Sequence, residues 1–334
     1  MPLVERSSYK HPFWLSNPHI QTVYPTLRRK LPNVPYQREA LTLSDGDFLD
    51  LDWLQHPDNN RLVVMAHGLE GNTHRIYMRG MARFFFKAGW DVLAWNCRGC
   101  GGRPNRLLKY YHSGCSEDLA EVVGRALDEP RYSAIALMGF SMGGNITLKY
   151  IGEQAEGIDP RIVGGVTFSV PCDLTSSSYE LSKPHNYFYL HRFLKMLHQK
   201  VRLKMPLFPG QIDDIGYHKI KSFKDFDDRY TAPLHGFRDA EDYWTKSSCK
   251  PYIPRIRVPV LLVTAQDDPF LPPACYPVDE AAGSDFFYLE TPEKGGHTGF
   301  VSKNDIGVYW SEQRALSFLE TLVREKLIAG IAVD

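Results

Sequence analysis

The period of the apolar positions changes along this chain, and each change predicts an element. After an N-terminal arm, "REALTL" and "DFLDLDWL" alternate apolar and polar residues. That is the pattern of two half-buried strands, and Asp45-Gly46 between them predicts a hairpin turn. "RLVVMAHG" is a continuous apolar run ending in glycine, the mark of a strand buried on both faces. "IYMRGMARFFFKAG" places apolar residues at helical spacing and stops at Gly89. "WDVLAWN" predicts a strand. "CSEDLAEVVGRALDEP" predicts a helix with Ser116 as its N-cap and Pro130 just beyond its end. "YSAIALMGF", "MGGNITLKYIGEQ" and "RIVGGVTFSV" continue as strand, helix and strand.

From about residue 171 to 256 this alternation lapses. The stretch is rich in aromatic residues, predicts a helix at "YFYLHRFLKMLHQK", and contains the polar segment "KSFKDFDDRYTAPLHGFRDAEDYW". Alternation resumes with a strand at "VPVLLVTA", a helix near "PACYPVDEAA", a strand at "DFFYLET" and a last helix at "SEQRALSFLETLVREKL". Strand alternating with helix implies a doubly wound, mostly parallel sheet covered on both faces. The expected organisation is an arm (1–36), an α/β core (37–170 and 257–334) and a mainly helical insertion (171–256), which is too long to be a plain loop.

Composition narrows the function. Lys plus Arg number 39, as do Asp plus Glu, so the chain lacks the basic field a nucleic-acid binder needs. The first residues hold no continuous apolar signal region. No stretch approaches the roughly 18 consecutive apolar residues of a membrane span, so a soluble, cytoplasmic protein is expected. Six cysteines in 334 residues do not form a disulfide framework.

The chemistry centres on "ALMGFSMGGN", where Gly139-x-Ser141-x-Gly143 lies between a strand and a helix. This is the context of a nucleophile elbow: small flanking residues allow a sharp turn that presents the hydroxyl, and the helix N-terminus favours developing negative charge. A serine hydroxyl needs a base. Of the 12 histidines, His297 in "EKGGHTGF" stands in a glycine-flanked loop between the last strand and the last helix. The base needs an orienting carboxylate, and "TAQDDPFLP" offers Asp267 and Asp268. Strand side chains alternate faces, so both cannot reach one imidazole. The order serine, acid, histidine is that of the α/β-hydrolase fold. In the turn that commonly carries the acid there, the register selects Asp268 and leaves Asp267 to cap the turn or face solvent. Oxyanion donors are expected from the backbone N–H of Met142 and, in "HGLEG", of Leu69, with His67 shaping that loop rather than acting as a base.

"HPFWLSNPHIQT", "HGLEG", "NCRGCGGRPNR", "YHSG", "GFSMGGN", "FDDRYTAPLHGF", "QDDPF" and "GGHTGF", in that order, resemble the YheT-like α/β-hydrolases from about residue 11 to 325. The resemblance implies Ser141, Asp268 and His297 as a charge-relay triad, a lid between the sixth and seventh core strands, and carboxylesterase-like activity without a cofactor. More distant relatives act on medium-chain acyl esters or phospholipids, or transfer acyl groups to alcohols. Many membrane-bound relatives carry an N-terminal apolar anchor, which these first residues lack. Some carry an H-x-x-x-x-D pattern near the end, but the fifth position after His297 is Ser302.

The expected activity is hydrolysis of uncharged short- to medium-chain acyl esters, small-molecule substrates, through an acyl-enzyme. Acyl transfer to an alcohol on the same triad is one alternative, and a catalytically silent binding or scaffold protein is another. Cys97-x-x-Cys100 has no second pair or spaced histidines beside it and does not predict a metal site. Glu117 and Asp118 fall at a helix start, where their charges suit the helix dipole. Tyr187, Phe188, Tyr189 and Phe193 either line an acyl pocket or pack their helix onto the core.

Overall fold

A computed structural model of the chain describes residues 3–302, 307–328 and 330. The first two residues of the arm and the outermost residues of the expected C-terminal core segment lie outside these. Among the described residues eight strands form one sheet in the order β1-β2-β4-β3-β5-β6-β7-β8. They are β1 (Gln37–Thr42), β2 (Phe48–Leu54), β3 (Arg61–Ala66), β4 (Asp91–Asn96), β5 (Ala134–Phe140), β6 (Ile162–Phe168), β7 (Val260–Val263) and β8 (Phe287–Glu290). β1 pairs with β2, and β2 with β4, antiparallel; every other pairing is parallel.

Alternation along the strands sorts side chains into two cores. Leu62, Val64 and Ala66 of β3 join one cluster, while Val63 and Met65 join the other. The first is covered by α3 (Ser116–Leu127) and α4 (Met142–Gln154), the second by α2 (Ile76–Lys87) and the last helix (Trp310–Ile328). The strands are therefore buried on both faces, which is why they read as unbroken apolar runs. Ser116 is not the cap of α3. Cys115 holds that position without a side-chain cap bond, and the Ser116 hydroxyl accepts from Lys149 Nζ at 2.9 Å instead.

Between β6 and β7 the chain forms α5 (Leu174–Leu181), α6 (Tyr187–Lys204), α7 (Phe223–Phe226), a π-helical turn (Asp227–Thr231), α8 (Ala232–His235) and α9 (Ala240–Ser247). These helices share an apolar cluster with Phe270 and Leu271, just beyond β7. Two buried lysines of α6 also fasten them to the core. Lys200 Nζ donates to Gly99 O at 3.0 Å and lies 3.4 Å from Glu70 Oε1. Lys204 Nζ donates to Asn105 O at 2.8 Å.

The segment around "PACYPVDEAA" splits into one 3₁₀ turn and the short α10 (Val278–Ala282); the last helix is α11. The arm contains a helix that no periodic pattern announced, α1 (Pro18–Arg28), whose Asn17 cap accepts from His19 N and Ile20 N. Among the described residues no helix is long and apolar enough to cross a membrane, and all six cysteines are free.

Candidate active site

Ser141 sits in the one-residue turn between β5 and α4, at φ 53° and ψ −121°. Few non-glycine residues occupy that region, and the conformation is held from both sides. Ser141 N donates to Phe168 O at 2.8 Å, and Ser141 O accepts from Asn145 N at 3.1 Å. The first turn of α4 presses on the end of β3: a Cβ on Gly143 would stand 2.5 Å from the carbonyl oxygens of Ala66 and His67. The glycine after the serine is therefore required by close approach.

His297 Nε2 lies 2.9 Å from Ser141 Oγ, and His297 Nδ1 lies 2.9 Å from Asp268 Oδ2 and 3.1 Å from Oδ1. The Asp268 side chain is fully buried, and its Oδ1 also accepts from Phe270 N at 3.0 Å. The Phe270 ring packs 4.2 Å from the imidazole, centroid to centroid. Serine, histidine and Asp268 thus form one continuous hydrogen-bonded chain.

Asp267 faces neither the imidazole nor open solvent. Its Oδ1 accepts from Gly296 N at 3.0 Å, so it holds the loop that carries His297. Burial is the main effect raising its pKa above the ordinary carboxylate value. Both aspartates lie beyond the end of β7, in a turn. It is the turn, and not strand pleating, that sends the two carboxylates apart.

The histidine loop leans on the arm. His297 N donates to Thr22 Oγ1 at 2.9 Å, and Thr22 Oγ1 donates to Pro18 O at 2.7 Å. A Cβ on Gly296, whose φ is +58°, would meet Pro18 O at 2.6 Å. Thr298 N donates to Ser169 Oγ at 2.9 Å, tying the other side of the loop to the end of β6. Thr22 and Ser169 gave no signal in the sequence, because their contacts span 275 and 129 residues.

The "HGLEG" loop passes the serine: a Cβ on Gly68 would lie 3.2 Å from Ser141 Cβ. Among the described residues, neither Leu69 N nor Met142 N donates to a protein acceptor. His67 is wholly buried, its Nδ1 2.8 Å from Gly68 O and its Nε2 accepting from Cys97 N at 3.1 Å. Nδ1 therefore carries the proton, and both nitrogens are engaged in shaping the loop. Burial pushes its pKa down to about 4.

Two cavities meet at Ser141, His297, Leu69, Phe193 and Phe270. One runs under the insertion, with walls that include Leu174, Leu181, Phe223 and Phe226. The other opens between α1 and α6, with Val23, Leu27, Phe188 and Tyr189 in its walls. Phe188, Tyr189 and Phe193 therefore line cavities, Phe188 from an exposed position, whereas Tyr187 lines neither. No cluster of His, Cys, Asp or Glu suited to a metal occurs among the described residues.

Residues 61–303 match the alpha/beta hydrolase fold family. The chain is 35% identical over 319 residues to "Putative esterase YheT" of Escherichia coli (strain K12), covering 93% of this chain and 92% of that protein. It is 28% identical over 310 residues to phospholipase ABHD3 of Mus musculus, covering 89% and 74%. In fold it is similar to an esterase of Pyrococcus furiosus, with a TM-score of 0.57 at 19% identity over 89% of this chain and 97% of that one. The chain belongs to the alpha/beta hydrolase fold family and, within it, to the YheT-like proteins.

Proposed function

We propose that this protein is a serine esterase that hydrolyses carboxylic esters of short- to medium-chain acyl groups. The observation that carries the reading is the chain Ser141 Oγ–His297 Nε2 and His297 Nδ1–Asp268 Oδ2, 2.9 Å at each link, where two cavities meet. Names of relatives point the same way: one is called an esterase and another a phospholipase, and both names denote ester cleavage.

His297 Nε2 takes the Ser141 proton as Oγ attacks the ester carbonyl carbon. The negative charge that develops on the carbonyl oxygen is met by the N–H groups of Leu69 and Met142. His297 then protonates the departing alcohol. A water molecule, deprotonated by the same nitrogen, clears the acyl-enzyme and returns the proton to Ser141. Asp268 keeps the Nδ1 proton in place and balances the imidazolium charge. The cavity under the insertion takes the acyl chain, the groove between α1 and α6 takes the alcohol portion, and the insertion acts as a lid over both.

The test is turnover of p-nitrophenyl esters from acetate to palmitate by the wild type and Ser141→Ala. Cleavage with an optimum at short or medium chains, abolished by the substitution, is expected. Equal cleavage by both proteins, or cleavage of none of the esters, would count against the proposal.

A further inference from the structure

Charge is distributed unevenly over the two segments that frame the open groove. From Lys10 to Tyr36, and again from Leu181 to Ile212, there is no Asp or Glu, although the chain has 39. The first segment holds four Lys or Arg and the second six, in a chain whose total is balanced. Half of these cations are engaged. Arg29, Lys183, Lys200 and Arg202 stand against carboxylates, and Lys204 against a core carbonyl. The other five, Lys10, Arg28, Lys30, Arg192 and Lys195, are exposed, and among the described residues none of them has an ion pair or a hydrogen bond.

Exposed apolar side chains stand among these free cations. Ile20, Val23 and Leu27 recur at helical spacing on one face of α1, with Ile20 48% and Leu27 73% exposed. Phe188, Arg192 and Lys195 do the same on α6, with Phe188 67% exposed. Leu27, Phe188 and Arg192 border one groove, whose inner end reaches Ser141 and His297. Apolar side chains gathered around an opening and rimmed by charge mark an interaction surface.

The partner has to be anionic and apolar at once. A second copy of the chain would bring the same cations and be repelled. A folded acidic protein seated here would shut the mouth of the groove. An anionic lipid layer does neither: its headgroup phosphates meet the cations, and the apolar side chains enter the layer beneath them.

We infer that the α1–α6 face docks peripherally on an anionic phospholipid bilayer, with the mouth of the groove turned toward it. The docking itself needs no turnover at Ser141.

The experiment is cosedimentation of the full chain with lipid vesicles. Vesicles of equal parts phosphatidylglycerol and phosphatidylcholine should carry the protein down. Vesicles of phosphatidylcholine alone should not, and added salt should release it. Arg28→Glu/Lys195→Glu should weaken binding about 30-fold or more, since each cation beside such a surface is worth about fivefold. Ile20→Ser, at a position outside both cavities, should weaken it as well. Lys87→Glu/Arg255→Glu makes the same change in net charge at the opposite end of the sheet, ahead of β4 and β7, and should bind as wild type does.

No binding to the anionic vesicles, equal binding to the neutral ones, or equal losses in the two double variants overturns the inference. So does a dimer in sedimentation velocity that Arg28→Glu/Lys195→Glu dissolves, which would give the face to a second copy. Ser141→Ala should bind the vesicles as wild type does. Vesicle binding without cleavage of any ester supports the docking and leaves the esterase reading alone to fail. Cleavage of soluble esters without vesicle binding rejects the docking and leaves the esterase reading standing.

Discussion

Replacing each of the paired aspartates by asparagine should have opposite consequences. Asp268 accepts two protons' worth of hydrogen bonding, from His297 Nδ1 and from Phe270 N. An amide at this buried position offers one oxygen and one NH₂. If the oxygen keeps the Phe270 bond, the NH₂ faces Nδ1 and makes it an acceptor. The ring proton then sits on Nε2, which can no longer take the serine proton. The equivalent change in the serine-protease triad slows turnover about 10⁴-fold, equal to about 5 kcal/mol of transition-state stabilisation. Asp268→Asn should therefore lower kcat by that order with little change in KM.

Asp267→Asn keeps an oxygen for Gly296 N and loses only a 3.8 Å ion pair with Lys294, a partly exposed residue. Such a pair is worth about 0–1 kcal/mol, so less than about a tenfold effect on rate is expected. Steady-state hydrolysis of one good p-nitrophenyl ester reads both variants. If Asp268→Asn stays within tenfold of wild type, or Asp267→Asn is the slower of the two, the assignment of roles fails.

Other consequences concern stability. Ser141→Gly should abolish hydrolysis yet raise the unfolding free energy by about 1 kcal/mol, because strain of about 1–3 kcal/mol at φ 53° outweighs the added chain entropy of glycine; a lower melting temperature would contradict this. Gly143→Ala drives a methyl group into two backbone carbonyls and should cost roughly 3 kcal/mol or more in urea unfolding. His67 is neutral when folded, with its pKa at about 4 against an ordinary 6.5. The unfolded chain therefore binds the extra proton first. The stability His67 contributes is complete above pH 6.5 and is lost as pH falls toward 4, by at most about 3 kcal/mol. Urea unfolding of His67→Gln should show a flatter decline than wild type across that window, and parallel declines would refute the assignment.

The parallel strands were legible because burial on both faces makes them unbroken apolar runs, and Ser141 and His297 because glycine spacing marks the tight turns around them. Register selects Asp268, the aspartate whose carboxylate lies 2.9 Å from His297 Nδ1. The strand-pleat argument for it does not apply, since both residues lie in a turn past β7. What pattern reading missed is supported from a distance. α1 is short, has a proline inside it and only two buried residues, so it shows no strong stripe. Its role emerges only when the histidine loop, far along the chain, folds onto Thr22. Lys200 and Lys204 look like solvent-facing charges in "LHQKVRLK", yet both are buried against core carbonyls. Ser116 fits the capping pattern, but its hydroxyl is engaged by Lys149.

The central claim is that Ser141 becomes acylated, and its most direct test is mass spectrometry of the protein after treatment with a fluorophosphonate. The account predicts a single adduct on the peptide containing Ser141, formed by wild type and absent from Ser141→Ala. No adduct on wild type, or an adduct that persists in Ser141→Ala, would contradict it.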